Sequence, residues 1–158
     1  MEYYDTTHIR KFMKLFTRDR AEAMRILEGM KDRCNVASYC YEDLRTPVHY
    51  ASQDGDHKTL VRLMELGASV WGMCKGKFYP LHLAVMNERV KIVKILLSGE
   101  IPSHVSKNIT KAAKYETNRP CIFYSAVESH NLAILKELVY KFFPMVDNSV
   151  MRFVIGEM

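Results

Sequence analysis

The sequence lacks most of the devices that point to chemistry. Its four cysteines, Cys34, Cys40, Cys74 and Cys121, include no pair at the two-to-four-residue gap of a zinc site. They read as free thiols of a reducing compartment rather than as a disulfide framework. The seven glycines are dispersed, which excludes a glycine-rich phosphate loop. No apolar run approaches the roughly 20 residues that cross a bilayer, so no membrane segment is expected. The opening residues Met1 to Asp5 show neither the basic start nor the apolar stretch of a secretory leader. Charge of one sign is also scarce. There are 23 Lys and Arg against 18 Asp and Glu, a formal net charge of +5. A balance this mild does not by itself indicate nucleic-acid binding, and none is expected.

What is present is one phrase written twice. Thr46-Pro47-Val48-His49-Tyr50-Ala51 is followed by Gly55 and closed by Gly67-Ala68. Thirty-three residues later Tyr79-Pro80-Leu81-His82-Leu83-Ala84 is followed by the apolar stretch Val90 to Leu97. Recurrence at this period marks a repeat architecture. A repeat this short cannot bury its own apolar face and has to stack on copies of itself. With 158 residues, 48% hydrophobic and 26% charged, the whole chain reads as one soluble domain of such repeats.

Each repeat reads as a pair of helices. Thr46 is a capping residue, Pro47 suits a first helical turn, and Gly55 ends that helix. Val48, Ala51 and Ser52 face inward. A second helix is expected over His57 to Glu65, with Leu60, Leu63 and Met64 at helical spacing. The next repeat uses Pro80, Leu81, Ala84 and Val85, then Val90, Ile92, Val93, Ile95, Leu96 and Leu97. Glu88-Arg89 stands where the first copy has Gly55-Asp56. A weaker third copy, offset by forty-two, has Ala126-Val127 and the apolar set Leu132, Ile134, Leu135, Leu138 and Val139. The extra residues lie between Gly99 and Pro120, with room for a short helix around Asn108 to Tyr115. Thr7 to Phe16 and Arg20 to Gly29 read as a divergent first pair with Arg10, Lys11, Lys14 and Arg18 outside. Asn148 to Gly156 reads as one further helix. The expected layout is therefore a single domain over 1–158. It has a divergent cap at 6–40, repeats at about 42–74, 75–99 and 117–146, and a partial terminal repeat at 147–158.

On these residues the sequence resembles the ankyrin-repeat family, whose pattern is Thr-Pro-Leu-His-x-Ala-Ala, a glycine turn, an apolar helix, then Gly-Ala-Asp. The resemblance implies an all-α solenoid of stacked helix-turn-helix pairs joined by short hairpin loops. It speaks strongly for the fold and hardly at all for a particular function. Two departures bear on the hairpins: Trp71 replaces the usual asparagine and Lys77 the usual turn glycine. The irregular repeats and missing glycines also resemble the short host-range and immune-evasion ankyrin proteins of large DNA viruses. Tyr79-Pro80-Leu81-His82 with Lys91 to Leu97 is similar to a stretch in the poxviral ones.

The resemblance implies that His49 and His82 bond to backbone groups of neighbouring repeats and do not act as catalysts. His57, His104 and His130 have no ligand spacing. Nothing in the sequence places a base beside Cys34 or Cys121, as a thiol nucleophile needs. Asp54 and Asp56 read as turn formers around Gly55. Arg89, Lys91, Lys94, Lys107, Lys111 and Lys114 read as a solvated outer face, with an electropositive surface as the alternative. Neither enzymatic activity nor a metal or cofactor is expected.

The expected function is a protein-binding module using, as the resemblance implies, the concave face and the hairpin tips. Mapped by position, its residues are Glu42, Asp43, Arg45, Gln53 and Asp54; Lys75, Phe78, Met86 and Asn87; and Thr117, Asn118, Glu128 and Ser129. Trp71 either covers a neighbouring hairpin or stands out as an anchor. The partner is expected to be another protein, with the chain monomeric on its own. Its expected place is inside a cell, the cytoplasm rather than the nucleus, and the host cytoplasm if the chain is viral. The competing expectation is a structural segment of a longer array, a scaffold or a channel's cytoplasmic arm, with no partner of its own.

Overall fold

Nine helices and no strand are found among the described residues, 6–30, 40, 43–111 and 122–142 of a computed structural model. They are α1 (Thr6–Arg18), α2 (Arg20–Gly29), α3 (Pro47–Asp54), α4 (His57–Glu65) and α5 (Pro80–Met86). Then follow α6 (Val90–Ser98), α7 (Ser103–Lys111), α8 (Ile122–Glu128) and α9 (Leu132–Phe142). The chain divides into two compact units, Met1–Pro80 and Leu81–Met158.

In Met1–Pro80 the helices form two contacting pairs, α1 with α2 and α3 with α4, opened by short caps. Asp19 accepts the Glu22 amide at 3.1 Å and opens α2. Asp56 accepts the Thr59 amide at 3.1 Å and the Thr59 hydroxyl at 2.6 Å, and opens α4. Pro47 sits at the start of α3, where its missing N–H leaves nothing unsatisfied. α1 packs on α2 and on α3, and α3 packs on α4. The buried side chains are those that helical periodicity turns inward: Phe12, Met13 and Phe16; Ala23 and Leu27; Val48 and Ala51; Leu60 and Leu63. Arg20 ties the pairs together. Its guanidinium reaches Asp54 at 2.6 Å and Asp56 at 3.2 Å, and lies 4.8 Å from the centre of the Phe16 ring. Arg62 on α4 likewise reaches Glu28 of α2 at 2.6 Å.

In Leu81–Met158, Leu81 to Val85 are all buried, His82 included. α6 contributes Ile92, Val93, Leu96 and Leu97 to the core and packs on α9, whose Ile134, Leu135 and Leu138 are buried. α8 packs on α9, where Phe123 meets Phe142 edge to face at 6.3 Å. Lys141 donates to the Gly99 carbonyl at 3.4 Å.

The repeat is also recorded in backbone handedness. Gly55 ends α3 at φ 75°. Glu88, thirty-three residues on, has φ 56°, and His130, a further forty-two on, has φ 54°. The hairpins obey the same rule: Leu44 has φ 59° and Lys77, thirty-three later, φ 62°. The offsets are those of the sequence repeats, yet four of these five positions are not glycine. Side chains are strained in this region, so the fold imposes the conformation against local preference.

The all-helical expectation holds, and the helices of the three copies fall where periodicity puts them. Two details differ. The helix in the inserted segment starts at Ser103, earlier than the expected Asn108; residues 112–115 of the expected span lie outside the described residues. Val105 and Ile109, one turn apart and buried, set its inward face, and Ile101-Pro102 precedes its start. Leu132, expected among the inward apolar set, is 58% exposed because it opens α9 on the outer side. The expected helix over Asn148 to Gly156 lies outside the described residues, as do Cys34, Lys114 and Cys121.

Candidate partner-binding surface

The surface residues of Met1–Pro80 are held by a hairpin that His49 anchors. The segment after α4 returns through a tight turn. Cys74 donates its amide to the Phe78 carbonyl at 3.1 Å, and Lys77 donates to the Cys74 carbonyl at 2.9 Å. Lys77 thus closes the turn in the left-handed conformation usually given to glycine. The turn is pinned on two sides. The Lys75 amide donates to the Asp43 carbonyl at 2.8 Å, joining this hairpin to the segment that leads into α3. His49 Nε2 lies 3.3 Å from the Phe78 carbonyl.

The protonation of His49 follows from its other nitrogen. The Thr46 amide, which can only donate, lies 3.2 Å from Nδ1, and the Thr46 hydroxyl lies 3.0 Å from it. Nδ1 is therefore the acceptor, and Nε2 carries the hydrogen given to Phe78. Burial lowers the pKa of His49; the bond to Phe78 opposes this and the nearby Arg45 charge adds to it. The histidine is a neutral bracket between α3 and the next hairpin.

Around this bracket the expected residues take distinct positions. Arg45 donates to Gln53 at 2.9 Å and lies 3.5 Å from an Asp43 carboxylate oxygen, so these three form one polar chain. Asp54 is exposed, but its carboxylate is engaged by Arg20. Lys75 is exposed. Phe78 is half-buried, its ring lying over Gly76, where a Cβ would come within 2.7 Å of the ring. Trp71 does not stand free: it is half-buried and meets the buried Tyr79 edge to face at 6.3 Å. In Leu81–Met158, Met86 is 48% exposed. Asn87 is exposed and donates to the Leu83 carbonyl at 2.8 Å. Glu128 is exposed, and Ser129 donates to the Ala126 carbonyl at 2.9 Å. Glu42, Thr117 and Asn118 lie outside the described residues.

Sequence reasoning missed two residues of this region. Leu44 is 48% exposed and Met73 38% exposed, both in the hairpin segments of Met1–Pro80. Leu44 was legible in principle, since it stands thirty-three residues before Lys77, whose departure from glycine the family pattern exposes. Met73 carries no such mark. Among the described residues no group of three or more His, Cys, Asp or Glu is placed to hold a metal ion. No helix among them is long and apolar enough to cross a membrane.

A stack of helix pairs joined by hairpins is a repeat-protein architecture, and the comparisons place it. Residues 48–97 match the family model described as ankyrin repeats in many copies. Among solved structures, the human ASB11 ankyrin repeat domain is similar with a TM-score of 0.60 at 18% identity, over 82% of this chain and 52% of that one. The chain thus spans about half the length of that domain. No curated protein matches it in sequence. The fold is that of ankyrin repeats, and the match to the family model extends over residues 48–97. Repeats of this family mediate contacts between proteins.

Proposed function

We propose that the chain is a non-catalytic protein-binding module that takes its partner on the hairpin surface of Met1–Pro80. Trp71, Lys75 and Phe78, the polar chain Asp43–Arg45–Gln53, and the exposed Leu44 and Met73 form this surface. Met86, Asn87, Glu128 and Ser129 are the corresponding positions of the second unit. The observation that carries the reading is Leu44. A large apolar side chain is held in water on a left-handed backbone, at a cost of about 1–2 kcal/mol, and folding gains nothing from it. A partner that buries the side chain supplies the gain.

Leu44→Gly tests this with opposite signs. It relieves the backbone and removes the anchor, so the variant melts higher and holds its partner less tightly. Binding retained at full strength in that variant, and in Phe78→Ala and Met86→Ala made singly and together, sinks the assignment. The partner is first identified by affinity capture. Capture from host cells addresses the finer reading, a viral host-range or immune-modulating factor in a host's reducing cytoplasm. Its support is the run Tyr79 to His82 with Lys91 to Leu97, together with the free thiols of Cys40 and Cys74. Failure to capture any specific partner favours the alternative, a segment of a longer array.

A further inference from the structure

The first helix carries a charge pattern that the rest of its unit does not. The charged residues of α1 are Arg10, Lys11, Lys14 and Arg18, with no Asp or Glu among them. At 3.6 residues per turn the four lie on one side of the helix, and all four are exposed. The opposite side, Phe12, Met13 and Phe16, is buried. Elsewhere in Met1–Pro80, Arg20, Arg25, Arg45 and Arg62 each have a carboxylate partner. Lys11, Lys14 and Arg18 have no ion pair among the described residues. Like charges three and four positions apart on a helix repel. Among the described residues no carboxylate offsets the repulsion between Lys11, Lys14 and Arg18, and a negatively charged surface is a complement to them.

The rest of the helix discriminates among anionic surfaces. A single-stranded nucleic acid wants aromatic platforms beside the cations, but Phe12 and Phe16 are turned into the core. A lipid surface wants fully exposed large apolar side chains to insert, whereas those of α1 are buried (Phe12, Met13, Phe16) or half-buried (Ile9, Leu15). An acidic helix fits. Arg10, Lys14 and Arg18 recur about every 6 Å along the axis, as do carboxylates placed at every fourth residue of a second helix. We propose that this face of α1 is a second docking surface, for an acidic helix of a partner protein with carboxylates in that spacing. It is separate from the hairpin surface and does not depend on that assignment.

The test titrates the full chain into a labelled helical peptide with glutamates at every fourth residue. A second peptide has the same composition with the glutamates scrambled. The periodic peptide should bind at least about tenfold more tightly, and the preference should fade as salt screens the charges. Lys11→Gln, Lys14→Gln and Arg18→Gln together should abolish it with a melting temperature unchanged or slightly raised as the repulsion is relieved, and Lys14→Gln alone should weaken it. Lys91→Gln, Lys94→Gln and Lys136→Gln together should leave it intact. Equal binding of both peptides, or retention by the α1 triple variant, overturns the proposal. So does tighter, α1-dependent binding of single-stranded RNA or of phosphatidylserine vesicles, which assigns the face to a different surface.

Discussion

The hydrogen on Nε2 of His49 links three things: the capped start of α3, the carbonyl of Phe78 and the acidity of the medium. Burial, the largest influence, holds its pKa below the ordinary imidazole value of about 6.5. The unfolded chain therefore takes up a proton at a higher pH than the folded one. The stability this group contributes is present above about pH 6.5 and is lost as the pH falls through the folded value. Asp56 acts lower. Burial pushes its carboxyl up, but the hydrogen bonds from Thr59 and Arg20 outweigh this, so its pKa stays below its ordinary value of 3.8 and its contribution disappears only under stronger acid. Urea unfolding at pH 7.5 and pH 5 should thus show a lower midpoint at pH 5. His49→Gln should lower the midpoint at both pH values and flatten the difference. Ser52 offers a second residue-scale test. It is fully buried and its hydroxyl has no partner among the described residues. Ser52→Ala should raise stability by about 1 kcal/mol, since an unsatisfied buried hydroxyl is costly. An unchanged or lower melting temperature contradicts that.

Among the elements, α6 carries the densest apolar face, and Leu96 is buried within it where α6 packs on α9. Leu96→Ala should cost about 2–5 kcal/mol in a denaturant melt. A shift below about 1 kcal/mol would mean that the face has been assigned wrongly. The ends of the elements supply a prediction of opposite sign. Glu88 and His130 adopt left-handed conformations that glycine takes without strain. Glu88→Gly and His130→Gly should each stabilise by about 1 kcal/mol. These cases also show what the sequence could tell. α4 was readable to the residue, because Asp56 and Gly67 bracket an apolar period. The start of the inserted helix was read too late because its signal is only Val105 and Ile109 after Pro102, while a cluster of lysines drew attention further on. Of the surface, Lys75, Phe78 and Met86 were readable as positions that vary against a fixed repeat. The exposure of Met73 and Leu132 was not, because an apolar letter is the same whether its side chain is covered or bare; Leu44 was marked only by its place thirty-three residues before Lys77. The edge-to-face seat of Trp71 on Tyr79 depends on the path of the hairpin, which no period encodes.

Among the described residues, most helix contacts run between neighbours along the chain, α1 with α2, α3 with α4, and α8 with α9, while α6 with α9 and α1 with α3 are the longer-range ones. Topologies rich in local contacts fold fast. The main refolding phase in stopped-flow fluorescence of Trp71 should fall on the millisecond scale, and a main phase of seconds would contradict the local wiring. The left-handed positions have one more consequence. The repeat keeps time by the sign of a dihedral angle, not by the letter that occupies it, so letters can drift while the beat persists. Between Glu88 and His130 the chain took in about nine extra residues and came back on phase. A chain with that property tolerates cargo at its rests. The stretch between α6 and α7, around Glu100, is the natural place to splice in an epitope tag or a second binding peptide, and the rhythm of the repeats on either side would resume.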